Sequence, residues 1–149
     1  MGKKIIITGG LGYIGTELCK IYSGYSWNDE IIVIDNRFIS ERVNQLRNWN
    51  MNFVHGDILD KDLIKKYCKD ADVIHHLAGI TAVPRVKSEA SEENEKEIAR
   101  VAKEGTQNII DVISDNCKII MPSTHVVYEG MKDVQEDIQE NKQTCPELA

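Results

Sequence analysis

The chain has 149 residues, which suits one ordinary domain and leaves little room for a second. It carries 18 Lys and Arg against 24 Asp and Glu, a formal net charge of −6. That balance disfavours general nucleic-acid binding and confines any polyanion to local positive sites such as helix N-termini. Hydrophobic residues at 42% and charged residues at 28% exclude collagen, coiled coil and wholesale disorder.

In chain order, Lys4 to Thr8 (KIIIT) reads as a buried strand. Tyr13 to Ser23 follows as a helix, with Ile14, Leu18, Ile21 and Tyr22 at helical spacing. Ile31 to Asp35 (IIVID) is the second strand. Ser40 to Trp49 is a helix with Ser40 as its N-cap and Val43, Leu46 and Arg47 on one side. Asn52 to His55 is a third, weaker strand. Asp60 caps a helix running through Cys68, with Leu63, Ile64 and Tyr67 inward. Val73 to Leu77 (VIHHL) is the fourth strand. A long helix is expected from about Ser88 to Ser114, polar in its first part and apolar along Ile98, Val101, Ala102, Gly105, Ile109, Val112 and Ile113. Lys118 to Met121 is the fifth strand. From Glu129 onward the sequence is polar, acidic and weakly periodic. Apolar strands alternating with helices predict an α/β fold: a doubly wound parallel sheet, order 3-2-1-4-5, with helices on both faces.

Ile5 to Ile7 is too short for a signal-peptide core, and no stretch approaches the roughly 18 apolar residues of a membrane helix. Cys19, Cys68, Cys117 and Cys145 form no C-x-x-C pair. They are expected to be reduced thiols, acting as small buried hydrophobes in a cytoplasmic protein. Adjacent His75 and His76 on one strand point to opposite faces and do not chelate one ion together. His76 is expected to be packed rather than a ligand, and no metal site is expected.

Thr8-Gly9-Gly10-Leu11-Gly12-Tyr13-Ile14-Gly15 joins the first strand to the first helix. Gly9 permits the tight turn. Gly12 allows close approach of a pyrophosphate, and Gly15 lets the helix pack near the sheet. The free N–H groups and the helix dipole then stabilise the anion. Asp35 ends the second strand 20 residues beyond Gly15, the spacing of a ribose-binding acid. A turn cap is the competing reading of Asp35. The acid favours NAD over NADP, whereas Arg37, two residues on, is placed to meet a 2′-phosphate.

With these residues the sequence resembles the extended short-chain dehydrogenase/reductase family, nearest the NAD-dependent sugar-nucleotide epimerases and dehydratases. The resemblance rests on TGGLGYIG at Thr8 to Gly15, Asp35-Asn36, Gly56-Asp57-Ile58, His76-Leu77-Ala78-Gly79, Gly105-Thr106-x-Asn108 and Pro122-Ser123-Thr124-x-x-Val127-Tyr128. It implies NAD contacts at Gly9, Gly12, Tyr13, Ile14, Gly15, Asp35, Asn36, Arg37, Asp57, Ile58, Leu77, Ala78, Gly79 and Thr81. It further implies a nucleotide-sugar substrate, and a homodimer formed through the long helix.

The family's catalytic set is a Ser/Thr that orients the substrate, a Tyr that moves the hydroxyl proton, and a Lys that lowers the Tyr pKa. Thr124 falls at the Ser/Thr position. Family spacing puts the Tyr just past Ala149, so the chain is expected to be the N-terminal portion of a longer enzyme and inactive alone. Tyr128 and Lys132 also read Y-x-x-x-K, but Tyr128 is already the V-Y tyrosine and lies too close to Thr124. His125 and Val126 stand where dehydratases carry Asp-Glu, which disfavours 4,6-dehydration. His125 reads as a substrate contact or an exposed spectator, and Arg85 as a phosphate contact or a surface residue. Two alternatives stay open: a non-catalytic NAD-binding module, and a reductase of another carbonyl substrate. With the Tyr/Lys helix absent, the apolar stripe Ile98 to Ile113 is expected to stand uncovered.

Overall fold

The computed structural model describes residues 2–25, 28–80 and 92–123. In order these form β1 (Lys4–Thr8), α1 (Tyr13–Tyr25), β2 (Glu30–Asp35), α2 (Ser40–Asn48), β3 (Asn52–His55), α3 (Lys61–Cys68), β4 (Val73–His76), α4 (Glu92–Ile110) and β5 (Lys118–Ile120). All four strand pairings are parallel, in the order β3-β2-β1-β4-β5 expected from the sequence. The order reverses between β1 and β4, and in such sheets the crevice past the carboxyl ends at this point is where ligands bind.

Strand alternation divides the apolar residues between two cores. Ile5, Ile7, Ile31 and Val33 pack with Leu11, Cys19, Val43, Leu46 and Met51, beneath α1 and α2. Ile6, Ile32, Ile34 and Ile74 pack with Ile58, Ile64, Cys68, Ala71 and Ile109, beneath α3 and α4. Cys19 and Cys68 are buried hydrophobes as expected, and burial pushes both thiols up to about 12. Cys117 is only partly buried.

Several local expectations are corrected. Ser40 is the first helical residue of α2 rather than its cap. Ile39 occupies the N-cap position with extended backbone; its side chain packs on the core and its carbonyl accepts from Val43 N at 3.0 Å. Packing, not a hydroxyl, sets the start of this helix. Arg47 is exposed, while Val43 and Leu46 face inward. The helix ends in a Schellman motif: Met51 N donates to Leu46 O at 2.9 Å and Asn50 N to Arg47 O at 3.0 Å. Asn50 supplies the left-handed residue this needs, with φ 56°, and Met51 and Leu46 close the turn within the core.

In α1, Ile14 and Ile21 are exposed, and the inner stripe is Gly15, Leu18, Cys19 and Tyr22. The start of α4 at Ser88 lies outside the described residues. Its end comes at Ile110, where Val112 N turns back to Ile109 O at 3.2 Å and tightens the last turn. The α4 stripe is largely spent on the core. Ile109 is buried, and Val101, Val112 and Ile113 pack around it. Exposure falls instead on Ile110 and on β5, whose Ile119 and Ile120 are only partly covered. Among the described residues the sheet is therefore covered on both faces at β1, β2 and β4, and only in part at β5.

The two histidines of β4 tie the layers together. His75 Nε2 shares a 2.7 Å hydrogen bond with the Tyr22 hydroxyl of α1. On the other face His76 Nδ1 lies 2.8 Å from Thr8 Oγ1, and Nε2 lies 3.0 Å from Thr106 Oγ1 of α4. Ala78 N donates to the same Thr8 oxygen at 3.3 Å. If the Thr8 hydroxyl donates to Nδ1 and Nε2–H donates to Thr106, the fully buried Thr8 hydroxyl has an acceptor and the hydrogen still to be placed is on the less buried Thr106, which favours the neutral Nε2–H tautomer of His76.

Burial holds both histidines below their ordinary pKa of 6.5, with Lys118 adding to the effect at His75. Below pH 6.5 the unfolded chain therefore binds protons that the folded chain refuses, and stability falls as pH drops. Melting temperatures measured from pH 7.5 down to pH 5.5 should decline over this window, above the range where ordinary carboxylates titrate (about 4). NMR titration of the His75 and His76 rings should give midpoints below 6.5. Asp60, which caps α3 by accepting from Asp62 N and Leu63 N, offers a second test. Asp60→Ala should cost about 1 kcal/mol in urea unfolding.

Candidate functional site

The carboxyl ends of β1, β2 and β4 bring the glycine loop, Asp35 and the Leu77-Ala78 backbone together. Gly9 N donates to Ile34 O at 2.8 Å, which draws the loop across β2. Its φ of +69° is open to glycine, and a Cβ there would lie 2.7 Å from Ala78 N. Gly10, which the sequence reading gave no role, lies against Val33; a Cβ would come within 2.2 Å of that side chain. The adjacent Gly9-Gly10 pair was the available signal.

Gly12 N turns back to Gly9 O at 2.9 Å. The first helical bond of α1 is Thr16 N to Gly12 O at 3.0 Å, reinforced by Thr16 Oγ1 on the same carbonyl at 2.8 Å. The N–H groups of Tyr13, Ile14 and Gly15 precede that bond and have no intrahelical partner. The side chains of Tyr13 and Ile14 are exposed beside them. Gly15 serves the loop rather than the sheet: its Cβ would meet Gly9 O and Gly10 Cα, each at 2.6 Å. A Cβ on Gly12 would meet only Gly9 O at 3.0 Å and Arg37 Nη2 at 3.7 Å within 4 Å. The front of the loop is thus a cradle that one methyl group would fill. Open donors at a helix N-terminus and a front left clear by glycine suit a pyrophosphate.

Asp35 is buried at the floor of this loop. Its Oδ2 accepts from Leu11 N at 2.9 Å, and its Oδ1 accepts from Arg37 N at 3.0 Å and Arg37 Nε at 3.2 Å. Leu11 and Arg42 escaped the sequence reading. Arg42, in the first turn of α2, donates through Nη1 to Leu11 O and holds the loop from the far side. Nothing in its spacing marks it, because the bond depends on where α2 lands.

Asn36 and Asp57 are directly joined, with Asn36 Nδ2 donating to Asp57 Oδ2 at 3.0 Å. Asp57 Oδ1 accepts from Leu59 N at 2.9 Å. The side chain of Ile58 is buried in the core against Gly105, where a Cβ would meet it at 2.2 Å. Its carbonyl accepts from Asn108 Nδ2 at 3.0 Å. Leu77 N donates to Thr8 O at 3.1 Å, and a Cβ on Gly79 would meet nothing within 4 Å. Thr81, Arg85, Thr124, His125, Tyr128, Lys132 and Cys145 lie outside the described residues. Among the described residues no group of His, Cys, Asp and Glu is arranged to hold a metal, and no helix is long and apolar enough to cross a membrane.

Residues 6–146 match the 3-beta hydroxysteroid dehydrogenase/isomerase family. CDP-paratose 2-epimerase of Salmonella typhi is 32% identical over 95% of this chain and 43% of its own length. The fold is similar to that of UDP-glucose 4-epimerase from Stenotrophomonas maltophila, solved with NAD (TM-score 0.73, 19% identity, 96% of this chain and 43% of that one). It is equally similar to dTDP-glucose 4,6-dehydratase from Bacillus anthracis, also solved with NAD (TM-score 0.73, 21% identity, 97% and 44%). The chain thus spans less than half the length of these relatives. With the family match running from β1 past β5, the chain belongs to the 3-beta hydroxysteroid dehydrogenase/isomerase family, and the relatives it is similar to include sugar-nucleotide epimerases and dehydratases.

Proposed function

We propose that these residues form the NAD-binding part of a sugar-nucleotide epimerase or a closely related oxidoreductase. The observation that carries this reading is the pairing of the open Gly12 cradle and the free N–H groups of Tyr13, Ile14 and Gly15 with a buried acid at the end of β2. The cradle would take the pyrophosphate and Asp35 the adenosine ribose, with the joined Asn36 and Asp57 at the adenine end. Bound NAD would supply reversible hydride transfer. Thr8 and His76 hold the Ala78 backbone against Gly9, so this wall of the crevice keeps its place.

A 32% identity with an epimerase over 95% of the chain, together with His125 and Val126 in place of the dehydratase Asp-Glu, supports epimerisation over dehydration. Thr124 is assigned to orient the sugar hydroxyl. Proton transfer and nucleotide-sugar chemistry are assigned to the whole protein, since this chain spans 43% of the length of the epimerase it matches.

Calorimetric titration with NAD tests the reading. The protein should bind NAD, and Gly12→Ala should weaken binding about tenfold or more by filling the cradle. The variant should keep its circular dichroism spectrum, because the new Cβ meets only one protein atom as near as 3.0 Å. Equal affinity in the two proteins would place the dinucleotide elsewhere.

A further inference from the structure

The segment after β2 carries Asn36, and two different contacts tie it to β3. The Asn36 carbonyl accepts from His55 Nε2 at 3.0 Å. A carbonyl only accepts, so this ring nitrogen carries the hydrogen. The Asn36 amide donates to Asp57 Oδ2 at 3.0 Å, and Leu59 N donates to Asp57 Oδ1 at 2.9 Å. Asn36 is thus gripped by its backbone and by its side chain, both times from the end of β3. Phe38, two residues on, is 59% exposed, so burial alone does not account for its place. Its ring meets Phe53 edge-on at 6.0 Å and His55 edge-on at 6.2 Å, while Phe53 stacks on His55 with 21° between the planes. Two phenyl rings therefore brace the imidazole, and its N–H stays aimed at the Asn36 carbonyl although His55 is exposed. Each Asp57 oxygen keeps a lone pair and the Asn36 amide keeps a second hydrogen, so the pair can still meet the donor and acceptor edge of a purine.

We propose that His55 is a positioning residue for the adenine ring: braced by Phe38 and Phe53, it fixes the Asn36 backbone so that the Asn36 amide and the Asp57 carboxylate form one preset edge. This rests on the cofactor reading above, which it deepens. Without the His55 bond, Asn36 would be tied to the end of β3 through its side chain alone. A ligand using that amide would then have to order the segment as it binds, and would bind less tightly. His55 is assigned no contact with the base or with the reacting atoms, and it acts through Asn36.

The test is calorimetric titration with NAD of the wild type, His55→Phe, His55→Gln, Asn36→Ala and the double variant of His55→Phe with Asn36→Ala. His55→Phe keeps a ring against Phe38 and Phe53 but removes the donor, and should weaken NAD binding about fivefold, the scale of one neutral hydrogen bond. His55→Gln keeps an N–H donor at a similar reach and should stay within about twofold of the wild type. In the Asn36→Ala background His55→Phe should cost nothing further, because the side chain that His55 positions is gone. Equal losses in the two backgrounds show a merely structural role and overturn the inference. So does a His55→Phe variant that binds NAD like the wild type, or a His55→Gln variant as weak as His55→Phe. In each of these cases the cofactor reading stands. A wild type that binds no NAD overturns the cofactor reading, and this inference with it. Matching circular dichroism spectra confirm that the variants are folded.

Discussion

A carboxylate withdrawn from water must be met by donors, or its charge is not tolerated there. Asp35 is in this position at the end of β2, and the donors that meet it are the ones that shape the crevice. Leu11 N reaches it from the middle of the glycine loop, so satisfying the carboxylate also fixes the course of the loop. The loop is then clamped from two further sides, by Gly9 N on Ile34 O and by Arg42 on Leu11 O. Its open donors at the start of α1 are thus presented on a rigid frame. This is the condition for binding an anion through backbone dipoles without first paying to order them.

The opposite wall is secured from α4. Gly105, Thr106 and Asn108 lie within one helical turn and between them meet Ile58 and His76. Gly105 makes room for the Ile58 side chain, Thr106 meets His76 Nε2, and Asn108 donates to Ile58 O. A segment that the family resemblance brings to notice is therefore, in this chain, a device for holding the loop after β3 and the end of β4 in place. Asn108 is buried and its amide donates to Ile58 O, a structural role.

Much of this arrangement was legible in the sequence because it depends on local rules. Continuous apolar strands such as KIIIT and IIVID, a glycine turn between strand and helix, and Asp60 before LIKKYC each carry a short-range physical signature. The misreadings arose where tertiary packing overrode the local pattern. Ser40 is a better N-cap than Ile39 by side-chain chemistry, yet burial of Ile39 decides where α2 begins. The Ile14/Leu18/Ile21 spacing marks α1 correctly as a helix but does not give its inner face, because Gly15 must lie on the loop backbone and this turns Ile14 and Ile21 outward. The α4 stripe reads as open for want of the Tyr/Lys helix, yet much of it packs in the cluster around Ile58, which stands far away in sequence. Arg42 and Leu11 were invisible for the same reason.

The sheet also acts as a partition. Ile5 and Ile6 are neighbours in the chain but belong to separate apolar compartments, one under the glycine loop and the other under Ile58. The two ends of the crevice are accordingly supported from opposite sides of a common wall. Substitutions that repack one compartment are screened by the backbone from the other, and distant, unshared sites combine nearly additively. Such a chain can drift in the compartment beneath Ile58 while the one beneath the glycine loop stays constant, so one end of an inherited crevice can persist as the other diversifies.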